Sequence, residues 1–242
     1  MCFTTSSKNH TIKQALIKRK CVMKSYDELK AEMENLLLIG GGGHARDILG
    51  LIEDINDASV TPVKVSAILD DEWANTARFG GCEVELIKGI ECNLHLAKYF
   101  ISCIGYPKYR KTLTDLAISH GLKPYRALIH PSSNASATCK VGAGSAILGL
   151  TSLSPNVVVG QNSYISHGVL LGHDTVVGDY VSVMPGASVS GDVNIGAGAL
   201  VGAGATILEG LTIGEGATVG AGSLVTKNVG AGVTVVGVPA KE

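Results

Sequence analysis

The C-terminal half of the chain carries one aliphatic residue at every sixth position. The series runs Val141, Ile147, Leu153, Val159, Ile165, Leu171, Val177, Val183, Val189, Ile195, Val201, Ile207, Ile213, Val219 and Val225, fifteen positions without a failure. Glycine follows the anchor at 142, 160, 172, 178, 196, 202, 214 and 220, and the fourth residue after it is mostly small or β-branched, as in Ser145, Ala187, Ala199 and Ala217. A six-residue period with one inward aliphatic and a glycine corner is the sequence form of a parallel β-helix. Three such hexapeptides make a triangular coil, and successive coils stack about 4.8 Å apart, at ordinary strand spacing. Each coil touches only its neighbours, so the solenoid gains stability coil by coil and needs closed ends. Leu128-Ile129-His130-Pro131 opens it and Val236-Gly237-Val238-Pro239-Ala240-Lys241 closes it. The corner glycines are expected to supply turns that a side chain would strain.

Upstream the period changes. Leu36-Leu37-Leu38-Ile39 is a continuous apolar run into Gly40-Gly41-Gly42-Gly43-His44-Ala45, after which Ile48, Leu49, Leu51 and Ile52 recur at helical spacing. This predicts strand, glycine turn, helix. Val63 to Leu69 predicts a second strand with Asp70 and Asp71 at its carboxyl end, Tyr99 to Ile104 a third ending at Gly105, and residues 108–120 a helix stopped by Gly121. Three or four strands alternating with helices imply a small Rossmann-like parallel sheet whose crevice lies at the strands' carboxyl ends. The expected organisation is an N-terminal tail and short charged helix over 1–34, with Met23 a candidate initiator, an α/β domain over 35–127 and the β-helix over 128–242.

Composition narrows the partners. The net charge of -1, without a concentrated basic face, argues against nucleic acid. The six cysteines, Cys2, Cys21, Cys82, Cys92, Cys103 and Cys139, contain no Cys-x-x-Cys pair, which reads as reduced thiols in a cytoplasmic protein and not as a metal site. No apolar run is long enough to span a membrane.

Candidate chemistry sits where the patterns are interrupted. Gly40, Gly42 and Ala45 fit a loose G-x-G-x-x-A turn, in which backbone amides approach a pyrophosphate at a helix amino terminus. Asp70 and Asp71 are placed to hold a ribose hydroxyl or base edge, and so small a unit suits a nucleotide-linked sugar better than a dinucleotide. In the solenoid, His167 and His173 occupy positions two after an anchor. Reading 18 residues up and down, His173 shares a corner column with Pro155, Gly191 and Glu209, and His167 one with Gly149, Pro185, Ala203 and Ala221. The two imidazoles therefore lie on different corners and meet only across a subunit boundary. An imidazole titrates near neutral pH and serves as a general base, and Asp174 directly after His173 can fix its tautomer.

Gly40 to Ala45 after a strand, Asp70-Asp71, Gly105, Ile129-His130-Pro131, His173-Asp174 and the closing Gly-Val-Pro-Ala-Lys together resemble the hexapeptide acyltransferases of bacterial glycan synthesis. The similarity is to the UDP-4-amino-sugar N-acetyltransferases and the related sialic acid O-acetyltransferases. The resemblance implies a left-handed β-helix, a homotrimer with active sites between neighbouring helices, acetyl-CoA as donor and a nucleotide sugar on the α/β domain. It implies that Gly42, Gly43 and His44 form the pyrophosphate loop, Asp70 and Asp71 the nucleoside acids and Gly105 a third nucleotide contact. His173 is the implied base, Asp174 its tuning acid, and Ser182, Ala203 and Ala221 the implied coenzyme contacts. This chain has Ser182 where relatives often carry a histidine, and Ser166, beside His167, where they carry an asparagine facing the acceptor.

The expected activity is acetyl transfer to the amine of a nucleotide-linked amino sugar by direct attack. Its rivals are O-acetylation of a sugar hydroxyl, as in sialic acid, a zinc carbonic anhydrase on the same solenoid, which needs three imidazoles, and a trimeric scaffold that binds a nucleotide without catalysis.

Overall fold

The computed structural model describes residues 35–59, 62–71, 79 and 84–242. They belong to one compact unit, Glu34–Glu242. The expected tail and helix over 1–34, and Cys2, Cys21 and Cys82, lie outside the described residues.

The first part is a five-stranded, all-parallel sheet built from β1 (Asn35–Ile39), β2 (Lys64–Asp70), β3 (Leu86–Lys88), β4 (Tyr99–Ser102) and β5 (Lys123–Pro124), in the order β3-β2-β1-β4-β5. Its two edge strands were not expected, being three and two residues long and too short to show a period. The helices are α1 (Gly43–Ala58), the short α2 (Ile90–Asn93) and α3 (Pro107–Ser119). Alternation along β1 decides which layer each side chain joins. Leu36 and Leu38 pack with Ile48 and Ile52 of α1 and with Leu128, Ala146, Leu148 and Tyr164 of the solenoid. Leu37 and Ile39 pack with Ile90, Leu94 and Ala117 on the other side.

The second part is a left-handed parallel β-helix of two-residue strands in three stacked sheets of six, five and seven strands. Every one of the fifteen anchors is the second residue of a strand, paired with the anchor 18 residues away, as Ile165 is with Ile147 and Val183. The core is denser than one aliphatic per hexapeptide. The fourth residue after the anchor also turns inward, and Val157, Val169, Val181, Ala187, Val193, Ala199, Ala205 and Ala217 are all buried with the anchors.

The glycine expectation is corrected. The left-handed turn lies three residues after the anchor, at Gly144, Gly168, Gly186, Gly198, Gly204, Gly210, Gly216 and Gly222, and also at Leu150, Asn156, Asn162, Asp174, Tyr180 and Asp192, all with positive φ. The glycine immediately after the anchor is required for a different reason. A Cβ on Gly178 would lie 2.7 Å from the backbone nitrogen of Ala197, and one on Gly172 would lie 2.4 Å from that of Gly191. At this position the coils stack backbone on backbone, and no methyl fits between them. An antiparallel bridge between Val236 and Lys241 closes the top, with a cis bond at Val238-Pro239. Among the described residues no helix is long and apolar enough to cross a membrane.

Candidate functional site

The glycine loop after β1 is held by the strand beside it. The Gly40 amide donates to Leu69 O at 2.7 Å, and the Gly41 amide donates to Asp70 Oδ2 at 2.5 Å. Gly42 caps α1 without a side-chain hydrogen bond, and no acidic residue occupies the first turn. The helix therefore presents its first amides and the positive end of its dipole uncovered, as an anion seat requires. A Cβ at Gly42 would meet nothing within 4 Å, so the loop is open there. Asp71 accepts from the amide of Ile90 at 2.8 Å, at the start of α2. Each of the two expected nucleoside acids thus uses one carboxylate oxygen to fix a backbone turn at the crevice.

His44 and Gly105 come together across β1 and β4. A Cβ on Gly105 would fall 2.3 Å from His44 Cε1, so glycine at 105 makes room for the imidazole. That ring also meets Tyr164, at 4.6 Å between centroids. Burial pushes the His44 imidazole below its ordinary value, against the opposing pull of Asp47, so the ring stays neutral beside the loop. Tyr164 donates to Asp47 Oδ2 at 2.9 Å and also bonds the Ser166 hydroxyl. Ser166 is buried, whereas His167 next to it is exposed on the corner.

The side chain of Ser182, an expected coenzyme contact, lies inside the chain. Ser182 is fully buried, its hydroxyl donating to Gly105 O at 2.6 Å and accepting from Arg110 Nη1 at 2.9 Å, so it is spent inside the chain. Arg110 itself is 2% exposed, and among the described residues no carboxylate pairs with it. It donates to Ile104 O at 2.7 Å on the sheet side and to the carbonyls of Asn162, Tyr180 and Val181, between 2.7 and 3.0 Å, on the solenoid side. Burial lowers this guanidinium to about 10, still charged at neutral pH. The residue fastens the carboxyl end of β4 to the coils beside it. The buried positions of α3, Pro107, Arg110, Thr114 and Ala117, follow helical spacing, and an arginine on an inward stripe is the sequence signal for it.

His173 and Asp174 stand on a corner away from the sheet. His173 Nδ1 bonds Asp174 Oδ2 at 2.9 Å, and Asn156, one coil below, donates to Asp174 Oδ1 at 2.9 Å. Asp174 takes the left-handed turn at φ 60, which a short polar side chain tolerates. The Asn156 hydrogen bond first, and the imidazole second, hold its carboxyl below the usual carboxylate range. Both side chains are more than half exposed. One coil above lies Gly191, where a Cβ would fall 2.6 Å from His173 Cε1 and Nε2, so the imidazole lies flat on bare backbone. The Asp192 amide donates to His173 O, just as the Gly186 amide donates to His167 O and the Gly222 amide to Ala203 O. Ala203 and Ala221 are exposed on the His167 corner, so one chain does not bring them beside His173.

The hexapeptide solenoid is matched by two families. The family described as "Bacterial transferase hexapeptide (six repeats)" matches residues 174–209 and 194–227, and "Hexapeptide repeat of succinyl-transferase" matches 155–179. No curated protein matches the chain. Among solved structures the chain is similar to PerB from Caulobacter crescentus in complex with CoA and GDP-perosamine, at 28% identity and TM-score 0.74, over 86% of this chain and 96% of that one. It is similar to the acetyltransferase domain of PglB from Neisseria gonorrhoeae FA1090 in complex with acetyl coenzyme A, at 26% identity and TM-score 0.77, over 86% and 98%. It is also similar to WeeI from Acinetobacter baumannii AYE, at 27% identity and TM-score 0.75, over 86% and 99%. Over almost the whole length of each of these proteins the chain is similar to them in fold, and its solenoid carries the bacterial transferase hexapeptide repeat.

Proposed function

We propose that the protein transfers the acetyl group of acetyl-CoA to the amine of a nucleotide-linked amino sugar. The observation that carries this reading is the His173–Asp174 pair, held at 2.9 Å on an exposed corner. With Asp174 accepting from Nδ1–H, the lone pair lies on Nε2, the nitrogen turned away from the carboxylate. Nε2 takes the proton from the attacking amine, and Asp174, anchored by Asn156, stabilises the imidazolium that results. Acetyl-CoA supplies the acyl group as an activated thioester, whose C–S bond breaks as the C–N bond forms, the leaving thiolate taking the proton from the imidazolium. A backbone amide stabilises the developing oxyanion.

The uncapped start of α1, with Gly42, Gly43 and His44, receives the diphosphate of the sugar carrier, flanked by Asp70, Asp71 and Gly105. The base and the exposed column of Ala203 and Ala221 lie on different corners of one chain. A homotrimer, in which the His173 corner of one copy faces the His167 corner of the next, joins them and covers the exposed side chains of Leu150, Leu170 and Val176.

His173→Ala is expected to lower turnover by about 10²- to 10⁴-fold while nucleotide binding persists. Thiol release from acetyl-CoA, assayed with UDP-, GDP- and dTDP-linked 4-amino sugars and their hydroxyl counterparts, measures it. Near wild-type turnover in the variant refutes the assignment of the base.

A further inference from the structure

A cavity of about 230 Å³ lies between α1 and the His167 corner of the solenoid, lined by Arg46, Asp47, Gly50, Asp54, His130 and His167 among others. We infer that this cavity seats the acceptor sugar and that the Asp47 carboxylate on its wall selects an amine there, an inference that rests on the acetyl transfer proposed above.

Three observations converge on it. The first is Gly50. Glycine inside a helix weakens it relative to alanine, and packing does not explain this one, since an added Cβ would meet nothing within 4 Å. The residue faces the cavity and keeps it open. The second is the order of charge along α1. Arg46, Gly50 and Asp54 stand four residues apart on one face of the helix. Arg46 is next to the loop, its Nη2 3.7 Å from where a Cβ on Gly43 would be, and Asp47 and Asp54 lie farther along the helix. A diphospho-amino-sugar has the same order, anionic at the diphosphate and cationic at the amine. Gly50 lies seven residues beyond Gly43, about 10 Å along the axis, one sugar ring past a diphosphate at the loop.

The third is that the acids are fixed before any ligand arrives. Asp47 Oδ2 accepts from Tyr164 at 2.9 Å, and Asp54 Oδ2 pairs with His130 Nε2 at 2.7 Å. His130 Nδ1 is in turn held by the amide of Ser132 at 2.9 Å. His167, two coils from His130, also lines the cavity. The volume fits one ring and not a nucleotide, so the remainder of the carrier stays at the loop.

Calorimetry tests this on the intact protein with three probes: UDP, GDP or dTDP alone, the matching 4-amino-sugar conjugate, and the matching 4-hydroxy-sugar conjugate. The wild type is expected to bind the amino conjugate about tenfold more tightly than the other two. Gly50→Leu, which fills the cavity with a good helix former, is expected to erase that increment while leaving affinity for the free nucleotide and Tm in place. Asp47→Asn is expected to erase only the preference for amine over hydroxyl. A wild type without a sugar increment, or a Gly50→Leu variant that keeps it, overturns the inference and leaves the acetyl transfer standing. A wild type that binds no nucleotide overturns both.

Discussion

The sharpest perturbation of the proposed base leaves the base itself in place. Gly191→Ala puts a methyl carbon 2.6 Å from His173 Cε1 and Nε2 as they now lie. Ordinary carbon contacts begin near 3.4 Å, so the imidazole has to withdraw by roughly 0.8 Å or rotate off its seat. The ring is more than half exposed and can do so without disturbing the core, hence Tm is expected to change by no more than about 2 °C. Catalysis is less tolerant, because a misplacement of about 1 Å costs on the order of 10²-fold, or about 2.7 kcal/mol of transition-state stabilisation. The expected result is a kcat reduced by about one to two orders of magnitude with both KM values unchanged, read from thiol release under saturating substrates. Wild-type kcat in Gly191→Ala, with the substitution confirmed by mass, would show that the imidazole on this corner takes no part in the rate-determining chemistry.

The remaining predictions concern the scaffold. Gly178→Ala and Gly186→Ala separate the two kinds of solenoid glycine in urea unfolding: the first drives a methyl to 2.7 Å from Ala197 N and is expected to cost at least about 2 kcal/mol. The second meets nothing within 4 Å but keeps φ at 67, and is expected to cost about 1 kcal/mol. Arg110→Met removes the guanidinium donors that tie Ile104 and Gly105 to Asn162, Tyr180, Val181 and Ser182, leaving the Ser182 hydroxyl on Gly105 O, and is expected to cost about 3 kcal/mol in the same assay. His44, with its folded imidazole below the ordinary 6.5, leaves the unfolded chain to take the proton first, so stability present at neutral pH is lost as pH falls through 6.5. His44→Gln is expected to flatten that part of the curve of Tm against pH.

The amino-acid sequence by itself determined the solenoid, its register and the existence of the glycine loop. Each of these is set by neighbours in the chain: an aliphatic every six residues can be buried in only one way once a coil of 18 is formed, and the apolar run before Gly40 has to become a buried strand. The His173–Asp174 pair was legible for the same reason, being adjacent in the chain. What the tertiary structure alone decided depends on residues far apart. Gly191 matters because stacking sets it on His173, 18 residues away. Ser182 proved to be internal because Arg110, 72 residues earlier, reaches it. Asp54 meets His130 across 76 residues, and Tyr164 meets Asp47 across 117. A repeat pattern states which face of a strand is inward, but it does not state which part of the chain covers the outward face. That follows only when the sheet docks on the solenoid, where every polar group it buries must find a partner.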